Sequence, residues 1–418
     1  MGMVSGMVCV RCGRTFGRLK RALWCPGCGM EGILDLQYDY DTIGKVLTPA
    51  RFGQTAARTQ WRYLPLLPVR GLTRVPPLEV GWTPLYDARD LAQTVGMDRI
   101  WLKDESKNPT GSIEDRATAV AVTCALEDNY AMLTCGSTGN AALSSAALTA
   151  AAGLRATLFV SREVSDGYVA QLLLFGPEVF VVEGSYEDAV QLSLRSAEEY
   201  GWFNRNRAVN PYLVEGVKTV AFEIAEQMHW AAPDCIVVPV AEGSTIAAVW
   251  KGYGEMKRLG WIHSLPKMIG VQAESAAALY AAWKEGHDPV AVRPQTIAES
   301  LAVGVPRDWR KAVGAVRESG GMLVTVSDRE ILQAMHILGE RSGIMAEPGS
   351  AATLAGLASL LRSRQVPRTA SAVLLIAAGG LRHPAAAIAA TGTARTLPPD
   401  FDRARAILQR SLSRTPFV

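Results

Sequence analysis

Short apolar runs alternate with amphipathic stretches along most of this chain. Residues 99–102 (Arg-Ile-Trp-Leu) read as a strand, followed by a Pro/Gly turn and a helix from Ser112 to about Glu127. Ser112 with Asp115 three positions on fits a capping box at that helix start. The same succession then repeats: a strand at 131–134 and an Ala-rich helix near 140–152, a strand at 156–160 and a helix near 167–174, a strand at 179–182 and a helix over 185–200. The run 236–240 is wholly apolar, as a buried parallel strand should be, with a helix from about Thr245. Residues 268–272, 322–326 and 373–376 are further strands. Strand–helix alternation predicts an α/β fold with parallel sheets and flanking helices. Ligands in such folds sit beyond the carboxyl ends of the strands. The strand-to-helix turns are therefore where chemistry is expected.

Length and charge narrow the picture. At 418 residues the chain needs two or more packed units. Apolar residues are 49% and charged residues 20%, an ordinary globular balance. The net charge of +3, from 43 basic and 40 acidic residues, argues against a nucleic-acid or membrane-surface role. Neither a membrane-spanning apolar run of about 18–20 residues nor a secretory signal pattern is evident. The expectation is a cytoplasmic protein that takes a small-molecule ligand.

Four of the seven cysteines form two CxxC pairs, Cys9 with Cys12 and Cys25 with Cys28. Gly13 and Gly29 follow the pairs, where tight turns bring backbone N–H groups toward thiolates. Four thiolates suit a tetrahedral, structural zinc. Cys124, Cys135 and Cys235 stand singly among apolar neighbours and read as core residues. The five histidines have no metal-binding spacing.

Three turns carry chemistry. Asn108–Arg116 opens a helix. Cys135-Gly136-Ser137-Thr138-Gly139-Asn140 frees successive N–H groups at a helix start, suited to a carboxylate. Ala241-Glu242-Gly243-Ser244-Thr245 lies between a buried strand and a helix and suits a phosphate. A fourth segment, 343–351, reads GIMAEPGSA.

In order, KDESKNPTGSIEDR, CGSTGNAA, NPYLVEGVKTVAFEI, VPVAEGSTIAAVWKG, GVQAES, TIAESLAVGVP and GIMAEPGSAATLAGL resemble threonine synthase, a member of the fold-type II pyridoxal-phosphate enzymes. The resemblance covers about residues 60–390. It implies two α/β domains around a cleft: a large one from 80–117 and 206–418 and a small one over 118–205. An N-terminal arm over 36–79 packs on the body, preceded by a four-cysteine, zinc-ribbon-like arm over 1–35. It implies substrate binding by Ser137, Thr138, Gly139 and Asn140, and cofactor contacts from Asn140, Gly243, Ser244 and Thr245.

The resemblance also exposes departures. Where the family's GSFKDR supplies the lysine that forms an imine with the cofactor aldehyde, this chain reads GSIEDR and presents Glu114. A carboxylate forms no imine. Ala377 replaces the hydroxyl residue that bonds the pyridine nitrogen, Leu213 replaces a phosphate-gripping arginine, and Glu242 puts a negative charge in the phosphate cup. The expectation is an enzyme of amino-acid or specialised metabolism acting on an amino-acid-like substrate. Its elimination or replacement chemistry would proceed with pyridoxal phosphate absent or held only noncovalently, and with Glu114 as acid or base. The alternative is a non-catalytic partner subunit or metabolite-binding protein. A homodimer, or a heteromer with a homologue, is expected.

Overall fold

The computed structural model describes residues 2–17, 23–137, 139–162, 164–394 and 396–412, without the side chains of 406 and 410–412. Three sheets organise it. The N-terminal sheet is antiparallel in the order β2-β1-β4-β3, from β1 (Val4–Cys9), β2 (Thr15–Phe16), β3 (Trp24–Cys25) and β4 (Gly29–Tyr38). Strands β5 (Leu85–Asp87) and β6 (Arg99–Asp104) begin the largest sheet. The smaller body sheet follows as β7 (Met132–Gly136), β8 (Arg155–Ser161), β9 (Glu178–Val182) and β10 (Phe203–Asn204), in the order β10-β7-β8-β9. Strands β11 (Cys235–Pro239), β12 (Lys267–Ala273), β13 (Met322–Val326) and β14 (Ser371–Ile376) complete the largest sheet, ordered β13-β12-β11-β14-β6-β5.

Successive side chains on a strand point to opposite faces, and the largest sheet is apolar on both. Ile236, Val238, Val373 and Leu375 enter one core with the helices Thr219–Gln227 and Ser244–Arg258. Val237, Leu374 and Ile376 enter the other with Asp328–Ser342 and Pro348–Arg362. Such two-sided burial is why these strands read as unbroken apolar runs.

Two expectations are corrected. The largest sheet is mixed, because β5 pairs antiparallel with β6; β5 is three residues of an edge strand and carries no alternation long enough to read. The helix after the first turn is Glu114–Glu127, and Ser112 does not cap it. Asp115 turns back instead to the Thr110 N–H (2.7 Å) and hydroxyl (2.6 Å). Within the segment 36–79, Trp61, Tyr63, Leu66 and Leu67 are buried. Phe52 and Tyr63 pack their rings on Phe222, Trp230 and Trp261 of the body.

The helix Glu114–Glu127 ties the parts together. It packs on Asn140–Ala152 and on Leu213–Val217. At Gly216 the backbones approach so closely that a Cβ would lie 2.1 Å from the Arg116 carbonyl oxygen. Arg116 itself is fully buried, bonded by Nε to Glu105 (2.6 Å) and by Nη1 to Glu223 (2.6 Å). Lys103 joins the same Glu223 at 2.8 Å. The N-terminal sheet is anchored by a second buried network, in which Lys251 meets Asp35 of β4 (3.0 Å) and Glu215 (2.7 Å), and the Tyr38 hydroxyl donates to Glu215.

Candidate active site

The carboxyl ends of β7, β11 and β14 face a cavity of about 590 Å³, within the range of small-molecule sites. Three polar clusters line it.

The first surrounds Glu114, in the first turn of its helix. Its Oε2 lies 2.6 Å from Arg205 Nη2 and its Oε1 2.8 Å from Arg207 Nη1. Burial pushes this carboxyl up, but the guanidinium groups of Arg207 and Arg205 outweigh that and hold it below its ordinary value. Arg205 is fixed in turn by Thr118 Oγ1, 2.9 Å from its Nε. Glu114 is therefore a carboxylate at neutral pH, shared by two arginines.

The second cluster is the strand-to-helix turn after β11. Gly243 has φ +97°, and a Cβ there would lie 2.8 Å from Ala312 Cβ and 3.0 Å from the Asp308 carbonyl oxygen. Only glycine fits so tight a turn. Glu242 occupies it with its own carboxylate: the Arg307 backbone N–H donates at 2.8 Å, its guanidinium at 2.8 Å and the Tyr186 hydroxyl at 3.1 Å. Arg207 Nε donates to Ser244 Oγ at 2.9 Å.

The third cluster centres on buried Glu347, which receives bonds from Ser300 Oγ (2.7 Å) and Asn140 Nδ2 (3.0 Å), with His383 Nε2 at 3.5 Å. Burial pushes this carboxyl up, and hydrogen bonding and charge from His383, with Ser300 and Asn140, bring it below its ordinary value. Asn140 Oδ1 accepts from Arg382, so both ends of this amide are engaged by the protein.

Of the residues singled out from sequence, Glu114, Ser137, Gly139 and Asn140 line the cavity. Ser244 lines a smaller adjoining hollow shared with Glu114, Glu242, Arg205, Arg207 and Arg307. Gly243 and Thr245 shape the turn behind it, and Thr138 lies outside the described residues. Sequence reasoning missed Arg205, Arg207, Arg307 and Arg382. The signal for the first two was present: Arg205 and Arg207 alternate in an otherwise uncharged segment next to NPYLVEG, and an acid at 114 calls for a counter-charge.

At the other end of the chain, the Sγ atoms of Cys9, Cys12, Cys25 and Cys28 all lie within 4.8 Å of one another, with Cys12 and Cys25 at 3.9 Å. Gly13 and Gly29 take positive φ, as the knuckle turns require. Strand β4 crosses the cluster at Gly32, where a Cβ would lie 2.5 Å from Cys28 Cβ and 2.7 Å from Cys25 Cβ. All seven cysteines are free thiols, and the three outside the cluster are buried, as expected.

A cleft at strand ends, floored by a glycine-containing helix start and walled by a SxGN loop, defines a fold-type II architecture. The model of the family "Pyridoxal-phosphate dependent enzyme" matches residues 77–379, and the chain belongs to that family. Within it, the chain is threonine synthase-like. It is 35% identical over 404 residues to the threonine synthase of Methanocaldococcus jannaschii, covering 96% of this chain and 98% of that one. It is 37% identical to that of Methanosarcina acetivorans, covering 90% and 92%, and 36% identical to that of Mycobacterium tuberculosis, covering 77% and 87%. Among solved structures, Escherichia coli diaminopropionate ammonia lyase matches with a TM-score of 0.65 at 19% identity, over 81% of this chain and 93% of that one. Maize serine racemase matches at 0.62 and 20%, over 79% and 92%. These two likenesses are of fold alone.

Family membership implies a pyridoxal-phosphate site, and the side chains test it. An imine needs an amine, and no lysine is among the described residues lining the cavity. Lys103 and Lys218 are buried in ion pairs elsewhere, and Lys107 is 56% exposed beside Asp104. Glu242 fills the turn that would seat a phosphate, and Ala377 follows β14 without a hydroxyl. The residues present do not fit a covalently held pyridoxal phosphate. Among the described residues no helix is long and apolar enough to cross a membrane.

Proposed function

We propose that this chain is a threonine synthase-like enzyme of amino-acid or specialised metabolism that acts on an amino-acid-like substrate without an imine to its own side chains. The observation that carries this reading is the double ion pair of Glu114 with Arg205 and Arg207, built where the resemblance places the family's lysine. The acid is integrated with matching arginines, as expected of a remodelled site. Elimination or replacement at the substrate side chain is the class of reaction the family resemblance supports. Glu114 serves there as a fixed counter-ion, since a carboxylate held by two guanidinium groups is a poor base. His383, with its Nε2 3.5 Å from Glu347, is an imidazole in the cleft wall able to accept at one ring nitrogen and donate at the other; it carries proton transfer in this reading. A non-catalytic, ligand-holding partner subunit is the second reading, favoured by the same locking of Glu114.

We further propose that Cys9, Cys12, Cys25 and Cys28 hold a structural zinc. Zinc–thiolate bonds of about 2.3 Å place tetrahedral sulfurs roughly 3.8 Å apart, and the cluster is already near that spacing.

Given pyridoxal phosphate and O-phospho-L-homoserine, the chain is expected to form no threonine and release no phosphate. Glu114→Lys is expected not to restore either, because Leu213 is fully buried apolar surface where the family's phosphate-gripping arginine is expected. Threonine formation above background by the unmodified chain contradicts the reading.

A further inference from the structure

The charges lining the cavity can be paired off. Glu114 is matched by Arg205 and Arg207 and Glu242 by Arg307, while Glu347 is held by Ser300 and Asn140 with His383 Nε2 at 3.5 Å. Two remain. Among the described residues Arg382 bonds only the neutral amide of Asn140, and Glu299 has no ion pair or side-chain hydrogen bond. They belong to one wall: Ser300, next to Glu299, donates to Glu347; Asn140 donates to the same carboxylate and accepts from Arg382. The wall therefore presents one unmatched cation and one unmatched anion to a common cavity. Val164, Ile297 and Val303 complete it with apolar surface.

From this we infer that Arg382 and Glu299 form a receptor for the zwitterion of a free α-amino acid, Arg382 meeting the carboxylate and Glu299 the ammonium. The inference rests on the imine-free reading above, because an amine condensed with an aldehyde no longer presents the three N–H donors of an ammonium to Glu299. Arg382 suits the planar carboxylate, and Ser137, whose hydroxyl oxygen accepts from the Gly139 N–H and keeps its own proton to donate, lines the same cavity. Ser300 and Asn140 act as positioning residues, holding the wall through Glu347.

The test is calorimetric and needs no known reaction. The proteinogenic L-amino acids and L-homoserine are screened by thermal shift, and the strongest binder is carried forward with two analogues, the 2-hydroxy acid lacking the ammonium and the amine lacking the carboxylate. Wild type is expected to bind each analogue at least about tenfold more weakly than the amino acid, the scale of a charge-assisted hydrogen bond. Glu299→Gln is expected to abolish the discrimination against the hydroxy acid alone, and Arg382→Gln that against the amine alone. Unliganded unfolding temperatures of both variants, expected to match wild type, show that the fold is intact. If no amino acid binds, or both variants discriminate like wild type, the inference is overturned while the imine-free reading stands. A covalent pyridoxal-phosphate adduct in the cleft would instead overturn the reading beneath it.

Discussion

Replacing Glu114 with alanine is expected to lower the stability of the folded chain by about 3–5 kcal/mol, the cost of stripping a buried ion of its partner. Arg205 is 1% exposed. Without Glu114 its guanidinium keeps, among the described residues, only Thr118 Oγ1 and the backbone carbonyl of residue 114. Arg207, at 16% side-chain exposure, loses the same partner. Glu114→Gln is expected to cost less, since an amide oxygen still accepts from Arg205. The effect has a pH signature. The carboxyl is held below its ordinary 4.5 in the folded chain, so the stabilisation is complete above that value and is lost as pH falls through the folded one. The gap between wild type and Glu114→Ala in urea unfolding should stay constant from about pH 5 to 8 and narrow below about pH 4. Equal midpoints at about pH 7 would show that the two arginines do not depend on this acid.

Loss of the proposed zinc is expected to be the second large effect. We expect one zinc per chain in reduced protein, and Cys9→Ser or chelation should unfold the N-terminal sheet. Structural zinc contributes roughly 10–16 kcal/mol to small cysteine-ligated folds, more than a four-stranded sheet with two two-residue strands can replace. Gly32 makes the same point sterically, since the β4 backbone threads between cysteine side chains. Trp24 reports the change, being half-buried next to Cys25. Its fluorescence and the protease sensitivity of the N-terminal sheet should change on chelation; the core containing Val237, Leu374 and Ile376 holds no residue of that sheet and stays packed, whereas the core that Leu34 and Leu36 of β4 enter loses part of its cover. Elemental analysis finding no metal in a fully protected arm would remove the proposal.

The order of elements was legible because two-sided burial writes strands as apolar runs. Strand β13 falls on the residues read from sequence, and β11 and β12 fall within a residue or so of them. Strands β5 and β10 were not legible, being only three and two residues long. The helix start at 114 was misplaced because Ser112 and Asp115 satisfy a local capping rule, whereas Asp115 is taken by the equally local N–H and hydroxyl of Thr110. In the site, the small-residue turns and Glu114 could be read directly. The arginines that define its electrostatics could not be placed, because Arg307 and Arg382 are distant in sequence from Glu242 and Asn140 and meet them only through the topology. The buried aromatic segment at 60–67 was masked by Pro65 and interspersed polar residues; Gln60 and Arg62 are buried through hydrogen bonds rather than exposed.

The central claim is that no amine in this cleft captures an aldehyde. It is tested most directly by incubating native protein with pyridoxal phosphate, reducing with borohydride, and mapping adducts by peptide mass spectrometry beside the visible spectrum. The prediction is no imine absorbance and no stoichiometric adduct, with only sparse labelling of exposed lysines. A visible band with one fixed adduct per chain, on Lys107 or any group protected by cleft ligands, would contradict it.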